Sequence, residues 1–304
     1  MLDKARRRAH SAEEFGALMQ RMMTPGEGDE PLSPYDPRPD DVIIAPYGKC
    51  GTTWLQQTFH QLRTGGDMDF DDISRVVPWI ETAPVHRLDI NADQRAEPRG
   101  FKSHLARYAL PDGARYVVSF RNPKDAFVSM FRFMEGWFIE PGTVPMEDFY
   151  QGWIEPGPQG SNYWDHLLSW WGQRDSADTL LVTYEHMIED PEAHVRMLAE
   201  FAGIDLDEDL LATALERSSL GFMLEHKDRF DDAIMRAASE RRCDLPPGSD
   251  SAKVRKGGVG GHKAELPPAI GAAIDEKWAV RVFPETGFAT YEEFDAEIRR
   301  RNST

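Results

Sequence analysis

Short apolar runs alternate with longer amphipathic stretches along most of this chain. Strands that are buried on both faces read as short apolar runs, and helices that cover a sheet read as amphipathic stretches. Four runs have the length and composition of such strands: Val42–Ala45, Phe101–Leu105, Tyr116–Phe120 and Thr179–Thr183. Because helical patterns separate them, the sequence predicts an α/β fold, a single domain with a central parallel sheet flanked by helices on both faces.

The helical patterns lie between and after these strands. We predict helices at Thr52–Arg63, Lys124–Met134, 161–173, 190–203 and Asp207–Glu216. Residues 1–40 read as an N-terminal helix or arm followed by an irregular lead-in, which leaves 41–304 as the domain. Residues 135–160 are rich in proline and glycine and are predicted as an irregular lid, and 240–262 as a polar loop.

The composition argues against several classes of binding partner. The net charge of −17 argues against a nucleic-acid-binding surface. No apolar run approaches the roughly 20 residues of a membrane-spanning helix, so no membrane partner is expected. Two cysteines, Cys50 and Cys243, give no disulfide framework, which fits a reducing cytoplasm. The sequence shows no clustered metal-ligand spacing, so no metal is expected.

The most informative segment is the turn between the first strand and the first long helix, Gly48-Lys49-Cys50-Gly51-Thr52-Thr53. A helix start leaves backbone N–H groups unpaired and directs the positive end of the helix dipole to one spot, which suits a phosphate. A nucleotide triphosphatase loop places its lysine directly after its second glycine. Here Lys49 precedes Gly51, so we predict a phosphate-binding loop that is only P-loop-like.

Three further groups of residues suit the same chemistry. Arg121 follows a strand and can bind a phosphate with two N–H groups, and Ser129 on the next helix can add a hydroxyl. Arg255 and Lys256 precede a glycine-rich stretch that begins at Gly257. Lys102 and His104 stand two residues apart, so on a strand they face the same side. A cation beside an imidazole suits a site where a leaving phosphate meets an acceptor hydroxyl.

Together these motifs resemble the soluble sulfotransferases that use 3′-phosphoadenosine-5′-phosphosulfate (PAPS) as sulfonyl donor and release 3′-phosphoadenosine-5′-phosphate (PAP). The resemblance rests on Lys49 to Trp54, on the sequence Arg-Asn-Pro-Lys-Asp that begins at Arg121, and on Arg255-Lys256-Gly257. It implies a P-loop-like phosphosulfate-binding loop and transfer of the sulfonyl group to a hydroxyl or amine of a small acceptor, with His104 as general base. The catalytic residues that it implies are His104, Lys49 and Lys102. The residues that it implies for the donor are Lys49, Cys50, Gly51, Thr52, Thr53, Trp54, Arg121, Ser129, Tyr184, Ser218, Arg255, Lys256 and Gly257.

The sequence says less about the acceptor substrate and the oligomeric state than about the donor. Aromatic or rigid residues that could wall a pocket predict a largely apolar acceptor with one hydroxyl: Phe131, Phe133, Trp137, Phe138, Trp153, Pro78 and Trp79. The family's C-terminal dimer motif is not matched, because Pro267 and Pro268 occupy its region, so the oligomeric state stays open.

Alternative interpretations exist for the phosphate loop. A P-loop-like kinase of a small molecule or nucleotide, or a nucleotide-binding protein without turnover, would also use such a loop. A cysteine phosphatase is disfavoured because Gln56, not arginine, is the sixth residue after Cys50. We also consider a redox role for Cys50, since a helix N-terminus can lower the pKa of a thiol.

Overall fold

A computed structural model describes residues 6–24, 33–155, 160–249, 253–254 and 257–303, apart from the side chain of His86. Its centre is a parallel four-stranded sheet with the strand order β2-β1-β3-β4. The strands are β1 (Val42–Ile44), β2 (Gly100–Lys102), β3 (Arg115–Phe120) and β4 (Thr179–Thr183).

Helices fill most of the remaining described chain. The first eight are α1 (Ala12–Met23), α2 (Thr52–Thr64), α3 (Ile73–Val76), α4 (Ala83–His86), α5 (Pro123–Met134), α6 (Met146–Ile154), α7 (Tyr163–Trp171) and α8 (Tyr184–Glu189). The others are α9 (Pro191–Ala202), α10 (Glu208–Arg217), α11 (Leu220–Glu225), α12 (Ala233–Arg242), α13 (His262–Glu265), α14 (Pro268–Lys277), α15 (Phe283–Thr286) and α16 (Tyr291–Asn302). A π-helical turn, Trp278–Val282, joins α14 to α15.

Both faces of the sheet are buried, as the apolar runs predict. Ile43 lies in one core cluster with Phe101 and Tyr116, its partners on the two neighbouring strands. Val42 and Ile44 point to the opposite face and lie in a second cluster with apolar residues of α2. Successive residues of a strand face opposite sides, so a short run with no polar member needs helices on both sides. The predicted α/β class with a flanked parallel sheet is confirmed.

Two predicted boundaries are wrong. The strand predicted at Phe101–Leu105 ends at Lys102, because the backbone N–H of His104 leaves the ladder and donates to Glu81 Oε1 at 2.7 Å. The predicted lid at 135–160 contains a regular helix, α6, whose Phe149, Tyr150 and Trp153 are buried. Pro145 directly precedes α6 as its N-cap, so it bounds the helix rather than preventing it; residues 156–159 lie outside the described part.

A buried ion pair anchors the amino ends of β1 and β2. Arg99 donates to both carboxylate oxygens of Asp41, at 2.8 and 2.6 Å, and the two side chains are 0% and 1% exposed. The same carboxylate accepts from the Tyr35 hydroxyl at 2.7 Å and from the Arg38 backbone N–H at 2.8 Å. Because every donor converges on one carboxylate, the lead-in to β1 depends on Asp41.

We expect Asp41→Ala to lower the free energy of unfolding by about 3–5 kcal/mol, because it leaves the Arg99 guanidinium buried without its counter-charge. The neighbouring Asp40 offers a matched control, since it also pairs with an arginine, Arg115, but its carboxylate is exposed to solvent. Asp40→Ala should cost at most about 1 kcal/mol. Urea denaturation measures both, and equal losses for the two variants would contradict this account.

Candidate active site

One large cavity opens at the carboxyl edge of the sheet, where ligands bind in open α/β folds. Its volume is about 1330 Å³. Each strand delivers a polar or aromatic side chain to its wall: Lys49 after β1, Lys102 at the end of β2, Arg121 after β3 and Tyr184 after β4. Residues that are far apart in the chain therefore meet because parallel strands end together.

The loop between β1 and α2 has the backbone that a phosphate cradle needs. Lys49 (φ 68°) and Gly51 (φ 96°) both adopt left-handed conformations, and α2 begins at Thr52 without a side-chain cap. A non-glycine residue in this region stores strain, which is common where function constrains the backbone. At Gly51 a Cβ atom would also lie 3.0 Å from Tyr184 Cδ2. Gly51, Thr52 and Thr53 all line the cavity, so the uncapped helix start faces it.

Two buried polar atoms at this end of the cavity have no partner among the described residues. They are Thr52 Oγ1 and Arg121 Nε. A buried hydroxyl or guanidinium N–H without a partner costs free energy unless a ligand or water satisfies it. Both groups can donate to an anionic oxygen, so the residues present fit a phosphate.

Cys50 differs from its predicted roles. The side chain is 1% exposed, belongs to the apolar core and does not line the cavity. Burial raises the pKa of its thiol to about 12, which outweighs the helix N-terminus. The burial leaves the predicted role of Cys50 in donor binding to its backbone and gives no support to the hypothesis of a redox-sensitive thiol. The residue contributes through its backbone, whose carbonyl accepts from the Ser119 hydroxyl and fixes the loop on β3.

Arg121 connects three segments of the site. It donates to the Lys49 carbonyl at 2.9 Å and to the Gly258 carbonyl at 3.1 Å, and its guanidinium lies 4.2 Å from the ring centroid of Tyr184. The Tyr163 hydroxyl in turn donates to the Arg121 carbonyl at 2.5 Å. The guanidinium is thus held between the phosphate loop, the glycine-rich segment and an aromatic face.

Asp125 holds the glycine-rich segment in place, a role that the sequence analysis missed. Its carboxylate accepts from the backbone N–H of Gly260 at 2.7 Å and of His262 at 2.9 Å, and from His262 Nδ1 at 2.9 Å. Gly257 lines the cavity with φ 49°, and a Cβ there would lie 2.8 Å from the Leu220 side chain. Arg255 and Lys256, which the sequence predicts in this segment, lie outside the described residues.

The remaining predicted nucleotide residues also line the cavity. Trp54 is partly buried and packs edge-on against Tyr184, with ring centroids 6.1 Å apart. Ser129 lines the wall from α5. Ser218 lines it as well, but its hydroxyl donates to the Ala214 carbonyl at 2.6 Å, so it can only accept from a ligand.

Two lysines, the half-buried Lys49 and the buried Lys102, present their ammonium groups to the cavity. Lys49 Nζ lies 4.2 Å from the ring centroid of Phe133, and Lys102 Nζ lies 3.9 Å from that of Trp79. Burial lowers the pKa of Lys49 to about 7 and that of Lys102 to about 8, and the ammonium of Lys253 contributes to both shifts. An anion in the cavity would favour the charged form of both.

His104 lies in the same cavity with a defined tautomer. Its Nδ1 is 2.7 Å from the Pro46 carbonyl, which can only accept, so Nδ1 carries the proton and Nε2 keeps its lone pair. Burial and the neighbouring Lys102 hold the pKa of the imidazole well below its usual range. Glu81, which the sequence analysis did not single out, fixes the backbone of His104.

Apolar side chains form the other part of the cavity wall. Of the predicted wall residues, Phe133, Trp137, Phe138, Trp153 and Trp79 line it. Phe131 and Pro78 do not, because Phe131 packs in the core against Phe149 and Pro78 faces a different surface cavity. The sequence analysis missed the contribution of α1, whose Phe15, Met19 and Met22 also line the cavity. Their apolar spacing along α1 was the available signal.

The described residues include neither a metal-binding group nor a membrane-spanning helix. No group of three or more His, Cys, Asp or Glu side chains in the described ranges is arranged to hold a metal ion. No helix of the described chain has the length and apolar character needed to cross a membrane.

Comparison with known proteins agrees with this geometry. The family model described as the sulfotransferase domain matches residues 39–282. The chain belongs to the sulfotransferase family. Human sulfotransferase 1C2 is 27% identical over 257 residues, which cover 81% of this chain and 84% of that protein. Mouse sulfotransferase 1 family member D1 is 28% identical over 270 residues, which cover 83% and 86%.

The fold of this sulfotransferase is shared with solved structures. The crystal structure of retinol dehydratase in complex with androsterone and inactive cofactor PAP has a TM-score of 0.67, with 19% identity and 83% of each chain covered. The predicted family, fold class and enzyme class are therefore confirmed, and the kinase and phosphatase alternatives are not supported.

Proposed function

We propose that this sulfotransferase moves the sulfonyl group of PAPS to a hydroxyl or amine of a small acceptor, with His104 as general base. One observation carries the proposal. The His104 imidazole uses Nδ1 for its hydrogen bond to Pro46, so Nε2 keeps a lone pair that can accept a proton. This ring shares a cavity with the ammonium groups of Lys49 and Lys102, at the edge where all four strands end.

Two sets of residues suit the two phosphorylated ends of the donor. The uncapped start of α2, with Lys49 and the unpaired hydroxyl of Thr52, suits the 5′-phosphosulfate. Arg121 and Ser129 suit the 3′-phosphate, together with Gly257 and the adjoining Arg255 and Lys256. Trp54 and Tyr184 offer aromatic surface for the adenine, and stacking of a base on such a ring is worth about 1–3 kcal/mol.

The catalytic step follows from the charges. PAPS supplies an activated sulfonyl group bonded to a phosphate oxygen. His104 is neutral over the working pH range and can accept the acceptor's proton at Nε2, which typically contributes about 10²–10⁴-fold. Lys49 and Lys102 can stabilise the charge that grows on the departing phosphate oxygen, in a site whose burial strengthens each interaction.

The acceptor should be largely apolar. Aromatic residues of α5 and the segment after it, with the methionines of α1, surround the space beyond His104. Methionine adapts its shape to irregular apolar ligands, and the aromatic residues give rigid walls. The retinol dehydratase structure holds androsterone beside PAP, which supports a similar division of this cavity between nucleotide and acceptor.

The first test is thermal stabilisation by nucleotides. A ligand present at 100 times its Kd stabilises the folded state by about 2.7 kcal/mol, so saturating PAP should raise the Tm by several degrees. ATP with Mg²⁺ should raise it much less, because the described residues of the site include no group of acidic side chains arranged to hold the metal ion. Stabilisation by ATP–Mg²⁺ alone would overturn the proposal, as would the absence of labelled sulfonyl transfer to every member of a hydroxyl and amine panel.

The base is tested by His104→Ala. We expect kcat to fall by about 10²–10⁴-fold, while the Kd of PAP stays within a few-fold of the wild-type value. The exposed His10 serves as the matched control, and His10→Ala should leave both quantities unchanged. A near-normal kcat in His104→Ala would remove the imidazole from the mechanism.

Nucleotide affinity should depend on pH through Lys49 and Lys102. Above pH 7 for Lys49 and pH 8 for Lys102, the free enzyme must take up a proton to present an ammonium to the anion. We therefore expect the Kd of PAP to rise between pH 7 and pH 9. The phosphates of PAP stay ionised over this range, so the change reports the lysines, and each lysine that has lost its proton contributes up to about tenfold per pH unit. Calorimetry in buffers of different ionisation enthalpy would detect the proton uptake. Lys49→Met should flatten the dependence, and a pH-independent wild-type Kd would contradict it.

A further inference from the structure

A second charged pair lies in the same cavity, outside all the motifs that the sequence analysis identified. Lys253 Nζ lies 2.5 Å from Asp232 Oδ1, and the two side chains are 8% and 4% exposed. Both residues line the cavity that holds Lys49, Lys102 and His104. The pair is therefore buried in the wall of the proposed active-site cavity, not on the protein surface.

The surrounding structure fixes this pair. Asp232 precedes α12 in a left-handed conformation (φ 50°, ψ 42°), which is unfavourable for a residue with a side chain. Asp72 accepts from the Ile234 N–H at 3.2 Å, which holds the start of α12. Arg236 bonds to Asp231 at 2.8 Å and to the Ser249 carbonyl at 2.5 Å, and so joins α12 to the segment that precedes Lys253.

The charges in the cavity interact strongly. Among charged neighbours, Lys253 lowers the pKa of both Lys49 and Lys102 the most, and it also lowers the pKa of His104. Burial alone would raise the pKa of Asp232, but Lys253, Lys102 and Lys49 together lower it to about 2. Lys253 thus lines one cavity with all three proposed catalytic groups, and Asp232 is the carboxylate that offsets the cluster.

A purely structural ion pair explains this arrangement poorly. Burying two charges costs free energy that their attraction only partly returns, and apolar residues of similar volume often stabilise a core as well or better. A third ammonium in the same cavity as two others adds repulsion. That cost is offset when the cavity holds a polyanion, which points to a role for Lys253 in the ligand-bound state.

We propose that Lys253 is a third ammonium that contacts the sulfonyl group during transfer, and that Asp232 is the positioning residue that holds it there. This inference rests on the proposed function. In the step, the acceptor oxygen or nitrogen forms a bond to sulfur while the bond from sulfur to the 5′-phosphate oxygen breaks. The electron pair leaves with that phosphate oxygen, and the acceptor proton goes to His104 Nε2. Lys253 stabilises the sulfonyl oxygens and exchanges no proton.

The test compares PAP with PAPS, because only PAPS carries the group that Lys253 is proposed to contact. In Lys253→Met we expect kcat to fall by about 10²-fold and PAPS binding without acceptor to weaken, while the Kd of PAP stays within a few-fold of wild type. Lys253→Arg should restore part of the activity. Lys227, exposed and outside the cavity, gives the control: Lys227→Met removes the same charge and should behave as wild type.

The pH profile of kcat/KM separates the two members of the pair. Removing the Lys253 ammonium raises the pKa of Lys49 and Lys102, so the alkaline limb should move to higher pH in Lys253→Met. Removing the Asp232 carboxylate has the opposite effect, so the limb should move to lower pH in Asp232→Asn. A pair whose charges do not act on Lys49 and Lys102 would lower stability in both variants without opposite shifts of the profile, and the loss of kcat in Lys253→Met then decides whether Lys253 also acts on the transferred group.

The double variant Asp232→Asn with Lys253→Met covers the case in which a single variant does not fold, since it leaves no unpaired buried charge. It should bind PAP as wild type does and still show the loss of kcat. A wild-type kcat in the double variant or in Lys253→Met, or an equal loss of PAP and PAPS affinity, would overturn the inference. Wild-type protein that binds neither nucleotide would instead overturn the proposed function.

Discussion

The site depends on concentrating positive charge inside an acidic protein. The chain carries a net charge of −17, yet Lys49, Lys102, Lys253 and Arg121 all line one cavity. Burial and mutual repulsion make these cations costly, as the lowered pKa values of Lys49 and Lys102 show. The parallel sheet provides much of the solution, because its strands are fixed by two buried core faces and hold Lys49, Lys102 and Arg121 at one edge regardless of their repulsion, while Asp232 holds Lys253.

Features that are encoded locally could be predicted from the sequence. The apolar runs indicate the strands, since a short run with no polar member fits only a strand buried on both faces. The Lys49 loop could be predicted because two glycines and a lysine precede a helix that begins with two threonines. The carboxyl-edge rule then places Arg121 beside it without knowledge of any long-range contact.

Features set by contacts across the chain could not be predicted. The end of β2 depends on Glu81, which takes the backbone N–H of His104 and turns it out of the ladder. The Asp232–Lys253 pair joins two segments that carry no motif, and its position depends on Arg236 and Asp72. Cys50 shows the same limit, because helix position alone suggested a lowered pKa, whereas packing against the core raises it.

The turn after β3 connects nucleotide binding with assembly of the reacting site. Arg121 and Asp125, four residues apart, bind the segment from Gly258 to His262 through its carbonyl and N–H groups. Lys253 precedes that segment by only a few residues in the sequence, so the anchors at Arg121 and Asp125 lie close along the chain to this proposed catalytic ammonium. A phosphate bound by Arg121 would add to the contacts that already fix this segment. Binding energy gained at the remote phosphate could in this way be used at the reacting atoms, which is how positioning contributes to catalysis.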